Sequence, residues 1–177
     1  MNVLSLFDGI SCGRLALERA GFTSIKYYAS EINTAAITVS EHNYPDLIRL
    51  GDVQNWKDWD INWNSIDLLI GGTPCQGFSF AGKQLNFNDP RSKLFFVYLD
   101  ILNHIKSLNP NVRFLLENVK MKREYQDIIS KSLGVEPVMI NSSLVSAQNR
   151  KRNYWANWNI GQPQDKGILL SDIVLDG

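Results

Sequence analysis

Three short segments hold the residues with the most reactive chemistry. The stretch "GGTPCQGFSFAG" (71–82) presents one thiol, Cys75, between Pro74 and Gln76, directly after an apolar run "IDLLI" that breaks at Gly71-Gly72. In "FLLENV" (114–119) a second apolar run ends in a carboxylate, Glu117. In "SAQNRKRNYW" (146–155) Arg150 and Arg152 occupy alternate positions entering a strand, which puts both side chains on one face beside Gln148. Three readings of Cys75 compete: a buried structural cysteine, a cysteine hydrolase, and a nucleophile toward an electron-poor ring. A hydrolase needs a histidine base, and the two histidines, His42 and His104, do not sit at strand ends. Glu117 reaches the same sheet edge as Cys75. In a half-apolar pocket desolvation pushes such a carboxyl upward in pKa, so it can carry a proton when needed. A thiolate with a protonatable carboxylate suits an aromatic amide. The two arginines read either as a solvated basic patch or as a grip on a carbonyl oxygen and a phosphate.

A second set of residues has the spacing of a nucleoside pocket. In "FDGISCG" (7–13) Gly9 allows a tight turn after a strand, and a helix beginning near Ser11 aims free N–H groups at the crevice. About twenty residues on, "ASEIN" offers Glu31 for the two hydroxyls of a ribose. After the next strand, "GDV" offers Asp52 for an adenine amino group. Alone, the glycine turn is more often only a turn, and Asp52 reads first as a solvated loop carboxylate. Together, at successive strand ends, they point to one ligand.

These side chains require a scaffold that delivers strand ends to a common edge. Short runs rich in β-branched and aromatic residues alternate with segments of helical period, the pattern of an α/β protein with a mostly parallel sheet. The periodicity predicts strands over 3–7, 25–30, 47–50, 68–71, 113–117, 138–141 and 154–157. It predicts a helix over 11–20 that Gly21 caps, and another over 92–108 that Asp89-Pro90 starts. The chain of 177 residues is long enough for one domain with a sizeable core, and 44% of it is hydrophobic. Two distant cysteines form no disulfide framework, so a reducing cytoplasm is expected. No leader or span near twenty apolar residues is read. Eighteen basic residues balance eighteen acidic ones, so nucleic-acid binding would need local patches of charge.

In order along the chain, "LSLFDGISCGRLALERAG", "GGTPCQGFSFAG", "DPRSKLFFVYLDIL", "LLENV" and "AQNRKRNYW" resemble the successive motifs of the C5-cytosine DNA methyltransferases, over essentially residues 2–158. The resemblance implies a Rossmann-like, S-adenosylmethionine-dependent methyltransferase fold, with a mostly parallel seven-stranded sheet and helices on both faces. It implies double-stranded DNA as substrate, base flipping, no metal and no membrane. Cys75 would add to C6 of cytosine, and Glu117 would protonate N3 and receive the exocyclic amine. Arg152 would bind O2 and the Thr73 carbonyl the amine, while Arg150 and Gln148 would support the pocket and a phosphate. The cofactor would lie over Phe7, Asp8, Gly9, Ile10, Ser11, Cys12 and Gly13. Glu31 would hold its ribose, Ile32, Asp52 and Val53 its adenine, and Pro74 and Leu94 its methionine end. The loop from Phe78 to Pro90 resembles one that closes over the flipped base. Ser11 and Cys12 stand where the family often has glycine. On this reading residues 1–161 form the catalytic domain and 162–177 begin a target recognition domain, the rest of which a second polypeptide could supply. The alternative is a cofactor- or DNA-binding module, or half of a split enzyme. A bacterial or phage-infected cell, with association to the nucleoid, is the implied setting.

Overall fold

The structure is a computed structural model; it describes residues 1–74 and 90–174, and of residues 90–92 the backbone alone. Cys75 and all but the last residue of the expected closing loop over 78–90 therefore lie outside the described residues, as do 175–177; Pro90 opens a helix. Seven strands form one sheet: β1 (Asn2–Leu6), β2 (Lys26–Ser30), β3 (Ile48–Arg49), β4 (Leu68–Gly72), β5 (Arg113–Val119), β6 (Val138–Asn141) and β7 (Lys151–Ala156). Their order is β3-β2-β1-β4-β5-β7-β6. All neighbours are parallel except β7, which runs antiparallel to both β5 and β6. Among the described residues four α-helices connect them: α1 (Cys12–Arg19), α2 (Thr34–Asn43), α3 (Pro90–Leu108) and α4 (Arg123–Leu133).

Alternation along the strands splits the interior in two. Leu4, Leu6 and Leu69 face a large cluster completed by α3, α4 and the aromatic crossover between β3 and β4. Val3, Tyr27 and Leu68 face a smaller cluster with Leu17 of α1 and Tyr44 beyond α2. Period-2 alternation makes this partition unavoidable, because neighbouring side chains leave opposite faces of the sheet. The α3 stripe of Tyr98, Ile101, Leu102 and Ile105 is fully buried, as its three- and four-residue spacing predicts. In β5, Phe114, Leu116 and Asn118 are buried while Leu115 and Glu117 are half-exposed. Glu117 thus projects from the face that α3 and α4 leave uncovered.

Some element bounds differ from the sequence reading. The third strand is two residues instead of four, because the chain leaves the sheet at Leu50 and turns at Gly51, φ 72°. The fifth strand runs on to Val119, which places Asn118 inside it. The seventh begins at Lys151, not Tyr154, so Arg152 belongs to the ladder, opposite Val119 and Ile140. Helix α1 starts one residue later, because Ser11 adopts a left-handed backbone and its side chain makes no cap bond.

Gly13 has a packing role. A Cβ there would lie 2.4 Å from Ile70 Cδ1 and 2.8 Å from the Tyr27 hydroxyl. Gly13→Ala gains helix propensity of up to about 1 kcal/mol, but overpacking costs about 1–3 kcal/mol. A net loss of stability is expected, read as a fall of a few degrees in the thermal midpoint; a midpoint at or above that of the parent would show that Ile70 and Tyr27 yield freely.

Candidate active site

The turn after β1 is built from three left-handed residues: Phe7 (φ 58°), Gly9 (φ 60°) and Ser11 (φ 65°). Two of them are not glycine, a conformation that persists only where surrounding contacts hold it. One such contact is Glu31, at the end of β2. Its Oε2 accepts the Gly9 N–H, and its Oε1 accepts the N–H groups of Ile32 and Asn33, all at 2.8 Å. Three backbone donors fix this carboxylate in place before any ligand arrives. Asp52 is fixed similarly: its Oδ1 accepts the Gln54 N–H at 2.9 Å and caps the following 3-10 turn.

Phe7, Glu31, Ile32, Asp52, Val53, Pro74 and Leu94 come together as expected. With Ser30 and Gln54 they line one cavity of about 170 Å³ at the carboxyl ends of β1, β2 and β4. Apolar walls from Phe7, Val53, Pro74 and Leu94 with carboxylates at the rim are the donor and acceptor set of an adenosine pocket, so the residues present fit S-adenosylmethionine. Ser30 and Gln54 were missed, although each adjoins a residue that was named. Ser30 is buried and donates to the Gly51 carbonyl at 2.7 Å, which steadies the turn into Asp52.

The residues from Asp8 to Gly13 do not line that cavity. The side chains of Asp8 and Ser11 point inward to a hydrogen-bonded cluster. Ile10 and Cys12 are exposed at the surface, and Gly13 packs under β4. Besides Phe7 itself, the turn meets the cavity lining through two backbone bonds, the Gly9 N–H to Glu31 Oε2 and the Asp8 N–H to the Ser30 carbonyl at 3.0 Å.

On the uncovered face of β5 and β7 the charged residues converge. Arg152 Nε lies 2.8 Å from Glu117 Oε1, and Arg150 Nη2 lies 3.6 Å from the same oxygen. The sequence reading placed Glu117 in a half-apolar pocket; two guanidinium groups stand there instead. Antiparallel pairing is the reason, since it carries the N-terminal end of β7 to the edge where β4 and β5 finish. Arg152 also donates to the Lys151 carbonyl, and Arg150 Nη1 is buried with no hydrogen-bond partner among the described residues. Gly72 pairs with Glu117 in the ladder and leaves its carboxylate room, a Cβ there being 3.1 Å from Oε2. Gln148 is exposed ahead of β7, its N–H bonded to Ser146 Oγ.

Two further residues belong to this edge. Asn118 is buried and its Nδ2 donates to both the Thr73 carbonyl (3.1 Å) and the Thr73 hydroxyl (3.0 Å). The two strands are thereby locked where the chain enters Pro74 and Cys75, and one lone pair of the carbonyl expected to meet the cytosine amine is already used. Tyr154 lies directly across the ladder from Glu117. Burial, and then the Glu117 charge, push its hydroxyl up from the ordinary tyrosine value, so it remains a donor at neutral pH. Its position two residues after Arg152 was the available signal. Both histidines are engaged elsewhere, His104 against Trp56 and Trp63, and His42 exposed in the last turn of α2.

The model of the family described as C-5 cytosine-specific DNA methylase matches residues 1–159. The chain belongs to that family. It is 34% identical over 174 residues to the type II methyltransferase M.NlaIV of Neisseria lactamica, covering 95% of this chain and 38% of that protein. It is 34% identical to the orphan methyltransferase M.Rho11sI of Bacillus phage rho11s, covering 87% and 32%. The chain therefore spans about two fifths or less of these relatives' length. Among solved structures, a DNMT2 mutant from Spodoptera frugiperda superposes with a TM-score of 0.64 at 26% identity, covering 95% of this chain and 54% of that one. An Entamoeba histolytica methyltransferase, EhMeth, superposes with a TM-score of 0.68 at 19% identity, which bears on the fold alone. The family's methyl donor is S-adenosylmethionine, and its sheet is the seven-stranded, mostly parallel one described above. Among the described residues no helix is long and apolar enough to cross a membrane, and no group of three His, Cys, Asp or Glu side chains could hold a metal ion.

Proposed function

We propose that this chain is the catalytic domain of a DNA (cytosine-5)-methyltransferase that acts on a flipped cytosine through a covalent bond from Cys75 to C6. The convergence of Arg150 and Arg152 on Glu117, at the sheet edge beside the cavity, carries the proposal. S-adenosylmethionine, held by Phe7, Glu31, Ile32, Asp52, Val53, Pro74 and Leu94, supplies the electrophilic methyl group that C5 takes. Every other step belongs to the chain. The Cys75 thiolate gives its electron pair to C6; the C5–C6 π pair moves to C4–C5, and the C4–N3 pair moves to N3, which takes a proton from Glu117. C5 thereby becomes enamine-like. After methylation, N3 returns its proton to Glu117, and water acting as a base takes the C5 proton, whose bonding pair restores the C5–C6 double bond and expels the Cys75 thiolate.

In this proposal Arg152, whose Nε faces Glu117 and whose Nη1 donates to the Lys151 carbonyl, turns its Nη2 to cytosine O2. Arg150 Nη1, an unsatisfied buried donor that costs about 1–3 kcal/mol, gains an acceptor when a phosphate or carbonyl arrives. Asn118 holds the Thr73-Pro74 turn from which Cys75 follows. Flipping a base costs a few kcal/mol of stacking and pairing, which contacts on both sides of the duplex must offset. A polypeptide carrying a target recognition domain completes that grip in this proposal, and DNA in a bacterial or phage-infected cell is the substrate.

Calorimetric titration of the chain with S-adenosylhomocysteine tests the cofactor side. Binding is expected, and Glu31→Ala is expected to weaken it by about tenfold or more, as for a lost charge-assisted hydrogen bond. Absence of heat from the folded chain at millimolar ligand would remove this half of the proposal.

A further inference from the structure

Beneath the cofactor-side turn runs a buried line of hydrogen bonds. Asp8 Oδ1 accepts from the Ser5 hydroxyl (2.6 Å) and the Tyr27 hydroxyl (2.7 Å), and its Oδ2 accepts from the Ser11 hydroxyl. Ser11 Oγ lies against Ser40 Oγ, and Arg49 Nη1 donates to Ser40 Oγ at 3.1 Å. Arg49 is itself held by Glu41 and the Tyr44 carbonyl. Proton accounting leaves one direction for the line. A guanidinium only donates, so Ser40 oxygen is its acceptor; a carboxylate only accepts, so the Ser11 proton goes to Asp8. The Ser40 proton then has a single acceptor, the Ser11 oxygen. A cation at one end and an anion at the other polarise the hydroxyls between them in the same sense.

Ser40 is the one fully buried residue of α2, in which Ala36 and Ile37 are half-buried and the rest exposed. Packing does not require a serine there; the hydrogen bonds do. Neither end lines the cofactor cavity, but each is close in sequence to a residue that does, Asp8 to Phe7 and Arg49 to Asp52. Asp8 sits inside the turn whose residues Phe7, Gly9 and Ser11 are all left-handed, and Arg49 is three residues before Asp52. Tyr27 stays a donor to Asp8, its hydroxyl pushed up by burial and then by the Asp8 charge.

We infer that Ser40 is a positioning residue for cofactor binding: through Ser11 and Asp8 it holds the left-handed turn, and through Arg49 it ties that turn to the strand leading into Asp52. Asp8 and Ser11 act in the same line, by their side chains behind the pocket, instead of touching the cofactor. The inference rests on the cofactor reading above, and two readouts separate it from that reading.

In the ligand-free 177-residue chain, Ser40→Ala is expected to speed hydrogen exchange of the amides from Gly9 to Arg14 about tenfold, with exchange in β4 and β5 unchanged. The same variant is expected to weaken S-adenosylhomocysteine binding about five- to tenfold by calorimetry. Ser40→Thr, which keeps the hydroxyl, is expected to restore both, and Thr38→Ala, which removes an exposed hydroxyl from the same helix, to change neither. Ser11→Gly is the second arm, because glycine accepts φ 65° freely while losing the hydroxyl. If the line matters, the glycine variant binds more weakly and its turn exchanges faster although its fold is intact. Unchanged exchange in both Ser40→Ala and Ser11→Gly, or an increase spread evenly over the whole chain, would overturn the inference. Should the parent chain bind no cofactor, the cofactor reading fails by itself and the exchange pattern still decides the role of Ser40.

Discussion

Replacing Cys75 by serine is expected to lower methyl transfer by about four orders of magnitude or more, since the step that activates C5 loses its nucleophile. The sharper measurement is covalent trapping. With S-adenosylmethionine, a duplex bearing 5-fluorocytosine and a polypeptide that supplies target recognition, the parent chain should be captured on DNA. Fluorine at C5 cannot leave as a proton, so the thiolate is not expelled and the sulfur–C6 bond persists. Mass spectrometry should place the adduct on Cys75 and find none in Cys75→Ser. The control is internal, because the chain has only one other thiol, Cys12, exposed at the first residue of α1. An adduct on Cys12, or one that survives Cys75→Ser, would remove the mechanism.

Glu117→Gln should be nearly as damaging to the chemistry and nearly harmless to the fold. The amide keeps the shape and an oxygen facing Arg152 but cannot pass a proton to N3, and general acid catalysis of this kind is worth about 10²–10⁴ in rate. The ion pairs it loses are part-exposed, with Glu117 at 29% side-chain exposure and Arg152 at 23%. Half-solvated pairs contribute on the order of 1 kcal/mol or less. The expected pattern is therefore a collapse of single-turnover methyl transfer, an unchanged affinity for S-adenosylhomocysteine, and a denaturation midpoint close to the parent. Transfer within tenfold of the parent would take Glu117 out of the proton path. A large loss of stability with proportionate loss of every function would make it a structural ion-pair partner only.

The strand ends were legible in the sequence because an apolar run stopped by glycine or a charged residue at each of them, and a parallel sheet delivers those stops to one edge. That is enough to bring Phe7, Glu31, Ile32, Asp52, Val53, Pro74 and Leu94 to a common cavity, and the spacing of Arg150 and Arg152 is enough to put them on one face. The order of the motifs carried the family. What the linear pattern could not carry is which way a side chain turns once the backbone leaves ordinary geometry. Asp8 and Ser11 look like cofactor contacts in "FDGIS", yet with left-handed backbones at Phe7, Gly9 and Ser11 both side chains turn inward, Asp8 to Ser5, Tyr27 and Ser11, and Ser11 also to Ser40, a residue 29 positions away. Asn118 looked like the residue after the catalytic carboxylate, and became the lock on Thr73 only because β4 and β5 pair in register. The surroundings of Glu117 depended on the antiparallel β7, whose reversal brings two cations to an apolar strand's end. Local sequence determines periodicity and where a strand stops, since both follow from neighbouring residues. Long-range pairing and the hand of a single turn decide what each charged group meets, and those are set by the packing of the whole sheet.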